Sequence, residues 1–167
     1  FPDLVWSKPE TLLTAGKLLM VGGNVHGFAA VGQAYQAAQT AGSGSVRIIL
    51  PDVLKKTVSQ LMPEASFAAS TPSGSFAQQA LAEFIEQAAW ADGVLLAGDL
   101  GRNSGPAILL EKFVSKYSVQ LTITKDAMDY FTSSAGVIII RPATTLVLTM
   151  AQLQKFRLTV QFEPVCH

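Results

Sequence analysis

The sequence predicts a three-layer α/β/α domain built on a mostly parallel sheet, and three observations carry that expectation. Short apolar runs recur along the chain without the apolar–polar alternation of a half-exposed strand, as in strands buried on both faces. Segments of helical periodicity separate these runs, which suits right-handed crossovers between parallel neighbours. Glycine-rich turns follow two of the runs, in VGGNVHG and AGDLG, where an open α/β sheet carries its ligand loops.

Taken in order, Lys17 to Val21 reads as the first strand. Phe28 to Ala41 reads as a helix whose small residues let its backbone approach the sheet. Val46 to Leu50 is the second strand, and Asp52 to Leu61 a helix with Asp52 as its cap and Pro63 as its stop. A loop, ASTPSG, leads to Ser75-Phe76-Ala77-Gln78, which has the spacing of a capping box. Phe76, Ala80, Phe84 and Ala88 then fall on one face of the helix it would open.

The cycle repeats with a strand at Gly93 to Ala97, the turn GDLGRNSG, and a helix at Pro106 to Tyr117 with proline in its first turn. Leu121 to Thr124 is a strand and Asp126 to Phe131 a short helical turn. Val137 to Ile140 and Leu146 to Leu148 are further strand candidates. Thr149-Met150-Ala151-Gln152 is a second capping box, opening a helix through Phe156, and the tail from Arg157 alternates like one more strand.

A chain of 167 residues suffices for one domain with a sizeable core. Only 14% of it is charged, which predicts that part of its surface is covered, so a homo-oligomer is expected. Twelve basic residues balance twelve acidic ones, leaving no field to draw in nucleic acid or an acidic membrane. No apolar run approaches the roughly 18 residues of a membrane span, and no signal-peptide pattern opens the chain. The lone Cys166 excludes an internal disulfide framework, and a cytoplasmic setting is expected.

The first glycine turn runs G-G-x-x-x-G, so it is not the G-x-G-x-x-G dinucleotide fingerprint, and no G-K-[ST] makes it a P-loop. It is either a ligand-facing turn or a plain strand-to-helix corner. His26 within it is a candidate base without a partner carboxylate, and a locally hydrogen-bonded turn histidine is the alternative. The terminal His167 carries no signal. One cysteine and two distant histidines offer no metal constellation.

Asp99 emerges at the end of an apolar strand, placed to bind a hydroxyl or act as a base, or else to cap the turn and pair with Arg102. Arg102 suits a bidentate grip on phosphate. Asp126 is placed in the same way after LTITK, as a functional carboxylate or a helix cap. Asn103 or Ser104 is expected to cap the following helix. No serine sits in G-x-S-x-G, so a hydrolase elbow is absent.

KLLMVGGN, AGSGSVRIILPD, ADGVLLAGDLGR and LTITKDAMDYF, in that order, resemble the ADP/ATP-dependent NAD(P)HX dehydratase family, ribokinase-like proteins also described as carbohydrate kinases. The likeness runs from about Lys17 to Phe156. The resemblance implies a ribokinase-like fold, with residues 1–167 as a single α/β domain forming the N-terminal part of a longer one. The absence of an initial methionine fits that expectation.

The resemblance further implies a nucleotide-like or sugar-like small-molecule substrate. Its chemistry would be phosphate-assisted dehydration by a lyase, or phosphoryl transfer by a small-molecule kinase. ADP or ATP with Mg is the implied cofactor, held by a segment outside this chain, and the catalytic base is left unassigned. A non-catalytic ligand-binding relative and a NAD-binding Rossmann-type protein are the alternatives.

Carried over by position, Gly22, Gly23 and Asn24 match the family's G-G-S turn, and Ala30 matches a pocket-lining alanine. Asp99, Leu100, Gly101 and Arg102 match the end of its G-P-G-L-G-R loop, and Asp126 matches the second aspartate of D-A-D-A-L. Two departures stand out. Ala97-Gly98-Asp99 replaces Gly-Pro-Gly, placing a carboxylate where backbone should meet substrate. TMAQLQKF replaces T-P-H-P-G-E, keeping Thr149, losing the histidine and proline, and leaving Gln152 as the candidate for the glutamate's place.

Overall fold

The computed structural model describes Thr11 and residues 14–101, 104–132 and 134–160. Six strands form one sheet in the order β3-β2-β1-β4-β5-β6, and every adjacent pair is parallel. They are β1 (Lys17–Gly22), β2 (Ser45–Pro51), β3 (Ala65–Ala68), β4 (Gly93–Ala97), β5 (Gln120–Ile123) and β6 (Thr144–Leu146). The helices are α1 (Ala29–Thr40), α2 (Lys55–Val58), α3 (Leu81–Trp90), α4 (Ser104–Lys116), α5 (Lys125–Met128), α6 (Ala135–Ile139) and α7 (Met150–Thr159).

Two cores explain why the strands read as unbroken apolar runs. Leu19 and Val21 of β1 belong to one cluster with Phe76, Phe84 and Phe113, while Met20 between them belongs to another with Val31, Leu54 and Val58. Ile49 of β2 joins the first cluster, and Ile48 and Leu50 the second. Successive side chains of a strand point to opposite faces, so helices on both sides demand apolar residues at every position. The sheet is thus the middle of three layers.

The first core is organised by aromatic rings. Phe76 meets Phe84 edge-to-face at 5.0 Å between centroids, Phe84 meets Phe113 likewise at 5.7 Å, and Phe113 stacks on Tyr117 at 5.4 Å. Phe84 of α3 and Phe113 of α4 are fully buried, so this column seals both helices to the sheet.

Several sequence expectations need correction. The run Val137 to Ile140 is not a strand: Ala135–Ile139 is helix α6, burying Ile138 while Ile139 and Ile140 stay exposed. Strand β3, with only Phe67 bulky in ASFA, escaped the sequence reading. Asp52 is not a side-chain cap. It opens a 3-10 turn, Asp52–Leu54, and accepts a bond from Ser70 Oγ.

Ser75 forms no capping box either. The 3-10 turn Gln78–Ala80 starts after Ala77, and the neighbouring Phe76 is bridged to Ser70 before the helix begins. The second box does form: Thr149 Oγ1 accepts from Gln152 N–H at 3.2 Å, and Gln152 Oε1 accepts from Thr149 N–H at 3.1 Å. Arg157, Leu158 and Thr159 end helix α7 rather than begin a strand, and the tail beyond residue 160, with Cys166 and His167, lies outside the described residues.

Phe84→Ala should cost about 3–5 kcal/mol of folding free energy, because it empties the middle of the aromatic column and leaves both flanking rings without an edge partner. Urea unfolding followed by circular dichroism reads this directly, and a loss below about 1 kcal/mol would show that the column is not a continuous core.

Candidate functional site

The chain leaves β1 for β2 and β3 on one side, then returns beside β1 as β4 and proceeds to β5 and β6 on the other. Loops at the C-terminal ends of β1 and β4 therefore diverge, and such a reversal of direction is where open α/β sheets form a crevice.

Close approach at this seam explains the glycines. Gly22 stands opposite Ala97, and a Cβ on Gly22 would lie 1.7 Å from the Ala97 carbonyl oxygen. Gly98, at φ +77°, turns the chain away beyond β4, and a Cβ there would sit 3.3 Å from that of Ala30 on α1. Gly22, Gly23 and Gly98 are buried, while Ala30 is exposed above them.

Asn24 ties the two loops together. It is 3% exposed, its Nδ2 donates to the Asp99 carbonyl oxygen at 2.9 Å, and its Oδ1 accepts from the His26 N–H at 2.7 Å. Backbone bonds between Asn24 and Gly27, both 3.1 Å, close the turn. Within the turn His26 is exposed and takes part through its backbone.

The loop after β3 forms a further wall. Val25 N–H donates to Gly74 O at 3.0 Å, and a Cβ on Gly101 would collide with Ser75 Oγ at 1.9 Å, so the β1, β3 and β4 loops are in contact.

Asp99 is exposed and held by its own loop and by β5's: Oδ1 accepts from Gly101 N–H at 2.8 Å and from the Tyr130 hydroxyl at 3.1 Å. The same hydroxyl also reaches Gly101 O. Burial, then the charge of Asp99 and its hydrogen bond, push the Tyr130 phenol well above its ordinary pKa. The group therefore stays protonated and acts as a donor. Arg102 and Asn103 lie outside the described residues, so the proposed pairing of Asp99 with Arg102 is not part of this picture.

Beyond β5, Asp126 is exposed in the first turn of α5. Asp129, three residues on, accepts from Gln152 Nε2 at 2.8 Å, which links the β5 tip to the capping box after β6. The strand tips thus bring Asn24 and Asp99 into direct contact and set Asp126 on the same edge of the sheet. Sequence reasoning missed Tyr130 and the Asp129–Gln152 bond. The available signal was an aromatic hydroxyl one helical turn after Asp126, which pattern reading credits to packing.

The described residues contain no group of three or more His, Cys, Asp or Glu side chains able to hold a metal ion. In the first glycine turn the N–H groups of Asn24, Val25, His26 and Gly27 are all taken by hydrogen bonds within the chain, so that turn does not offer them to a nucleotide phosphate, and no step is derived through Mg-nucleotide. Among the described residues, no helix is long and apolar enough to cross a membrane.

No protein-family model matches the chain, and no curated protein matches it in sequence. Solved structures do resemble it. A ribokinase-like superfamily protein from Enterococcus faecalis V583 aligns with a TM-score of 0.71 and 15% identity, covering 90% of this chain and 51% of that one. A hypothetical protein from Streptococcus mutans aligns with a TM-score of 0.67 and 18% identity over the same shares. At these identities the likeness is one of fold, and the chain spans about half the length of either structure.

Two tests probe the crevice. Gly22→Ala should prevent folding or destabilise by several kcal/mol, about the scale of severe overpacking, whereas Gly27→Ala, with nothing within 4 Å of the added carbon, should change stability by no more than about 0.5 kcal/mol. Equal effects in urea titration would contradict the close approach at the seam.

The second concerns pH. Because the folded state holds the Tyr130 proton more tightly than the unfolded chain, whose phenol titrates near 10.0, its contribution is complete below that pH and is lost as pH rises further. Tyr130→Phe should therefore flatten the alkaline decline of unfolding free energy. An unchanged slope above pH 10 would disconnect the phenol from that decline.

Proposed function

We propose that this chain forms the substrate-side part of a ribokinase-like small-molecule domain that binds a sugar-like or nucleotide-like ligand at the tips of β1, β4 and β5. The observation that carries the reading is the exposed Asp99 carboxylate, anchored through Oδ1 by Gly101 and Tyr130 next to the buried turn at Gly98, at the point where the sheet order reverses. The other carboxylate oxygen accepts a ligand hydroxyl. Ala30, with its small side chain, leaves room for the ligand above Gly98, and Asp126 approaches from the next tip.

Gly22, Gly23, Asn24 and Gly101 serve by shaping the wall, since all four are buried. Within this reading Arg102 supplies the positive charge for a phosphate-bearing ligand. ADP or ATP with Mg would be held by polypeptide other than the described residues. The reaction served is phosphate-assisted dehydration or phosphoryl transfer in the cytoplasm, by a divergent relative of the NAD(P)HX dehydratase and carbohydrate kinase family. Support comes from the fold shared with a ribokinase-like superfamily protein and from the order of the sequence motifs.

A second reading, a dinucleotide-binding protein, draws on one specific observation. The strand order 3-2-1-4-5-6 is that of two joined mononucleotide-binding halves. Against it, the first turn lacks the fingerprint spacing, and Asp52 after β2, where a ribose-binding acid would stand, already accepts from Ser70 Oγ.

Thermal unfolding with ADP, ATP–Mg, NAD, NADPH and a set of pentoses and hexoses separates the readings. A ligand at a hundredfold excess over Kd stabilises by about 2.7 kcal/mol. We expect a shift from a sugar that Asp99→Asn abolishes. A shift that survives this substitution puts the ligand elsewhere. A shift with NAD and none with ADP favours the dinucleotide reading, and no shift at all removes the proposal that this chain binds substrate by itself.

A further inference from the structure

Among the described residues, the buried polar side chains are those of Asn24, Ser75 and Gln152. Two of them use both ends of their amides on the chain itself. Asn24 donates to the Asp99 carbonyl and accepts from His26 N–H, and Gln152 donates to Asp129 and accepts from Thr149. Ser75, 3% exposed, differs. Its N–H donates to Thr71 Oγ1 at 3.3 Å and its carbonyl accepts from Thr71 N–H at 2.7 Å, but its hydroxyl has no hydrogen-bond partner among the described residues. Nor does that hydroxyl cap a helix, because the 3-10 turn that follows starts after Ala77 without a side-chain cap. Buried polar atoms nearly always have a partner, so this oxygen calls for a group that the described chain does not supply.

The side chain is directed at the turn that carries Asp99. A Cβ on Gly101 would lie 1.9 Å from Ser75 Oγ, 2.7 Å from its Cβ and 3.7 Å from its Cα, so the oxygen leads. Three loops thus converge on one glycine. Asp99 Oδ1 accepts from the Gly101 N–H, the Tyr130 hydroxyl reaches the Gly101 carbonyl, and Ser75 packs on the Gly101 α-carbon. Standard bond lengths then set Ser75 Oγ within about 8 Å of Asp99 Oδ1, a span that two adjacent hydroxyls of one ligand bridge with a hydrogen bond at each end. The loop after β3 is held firmly for such a contact. Val25 N–H donates to Gly74 O at 3.0 Å, and Phe76, the residue after Ser75, is fully buried in the aromatic column.

We propose that Ser75 is a ligand-binding residue, its hydroxyl taking the second of two neighbouring oxygens on a polyhydroxylated small molecule whose first hydroxyl is held by Asp99. This inference rests on the reading of the β1, β4 and β5 tips as a ligand site, and it gives the wall formed by the β3 loop a part in recognition. It also selects within that reading. A serine hydroxyl both donates and accepts, as a polyol or the ribosyl part of a larger ligand requires, whereas a nucleobase ring offers no pair of adjacent hydroxyls.

Calorimetric titration of D-ribose, D-glucose and their monodeoxy forms into the natural protein, Ser75→Ala and Asp99→Asn tests it, with a melting curve of each variant. Ser75→Ala removes an oxygen that bonds nothing in the free protein, so it should melt with the natural protein while binding the best sugar about three- to tenfold more weakly. One monodeoxy form should bind the natural protein just as weakly and lose nothing further in Ser75→Ala, the signature of a shared contact. Unchanged affinity in Ser75→Ala beside lost binding in Asp99→Asn overturns the proposal and leaves the site reading in place. A lowered melting temperature with unchanged affinity makes the hydroxyl structural and overturns it too. Binding that Asp99→Asn does not weaken, or no binding of these sugars by the natural protein, overturns the site reading and the role of Ser75 with it.

Discussion

Everything at the candidate site depends on how closely β1 and β4 lie at their C-terminal ends. Gly22 and Ala97 face each other with no space for a Cβ between them, and this contact brings the two diverging loops within hydrogen-bonding reach. Asn24 then spans the gap to the Asp99 carbonyl. Were the strands further apart, the buried amide of Asn24 would lose its acceptor, and an unmatched buried polar group costs about 1–3 kcal/mol. The packing of the seam and the position of Asp99 are therefore one constraint.

The parity of the strands enforces the same geometry from below. Odd-numbered positions of β1 feed the aromatic core under α3 and α4, and even-numbered ones feed the core under α1 and α2. A slip of one residue would exchange the two sets and present Met20 to the phenylalanine column. Because both cores are filled, the register that sets Gly22 against Ala97 is fixed by apolar burial far from the crevice. Fold and site share their energetics.

How much of this could be read from the residues follows from the same physics. Parallel strands were legible because burial on both faces leaves apolar runs such as KLLMV and GVLLA, and α7 because Thr149 and Gln152 carry their capping chemistry in their side chains. Strand β3 was illegible: at an edge, ASFA needs little apolar area. Helix α6 was misread because Val137 to Ile140 has β-branched composition, yet only Ile138 is fully packed into the core. At the site, Asp99 was visible as a carboxylate ending an apolar strand. Its partner Tyr130 was not, since a contact between residues 31 apart leaves no local pattern.

The polar side chains at these tips form a nearly continuous relay, from Asn24 to the Asp99 loop, from Asp99 to Tyr130, and from neighbouring Asp129 to Gln152 and Thr149. On the proposed reading a guest would find most of these groups already matched with one another, the outer oxygen of Asp99 excepted, so at every other position it would have to exchange bond for bond, and poor mimics would be rejected without any steric gate.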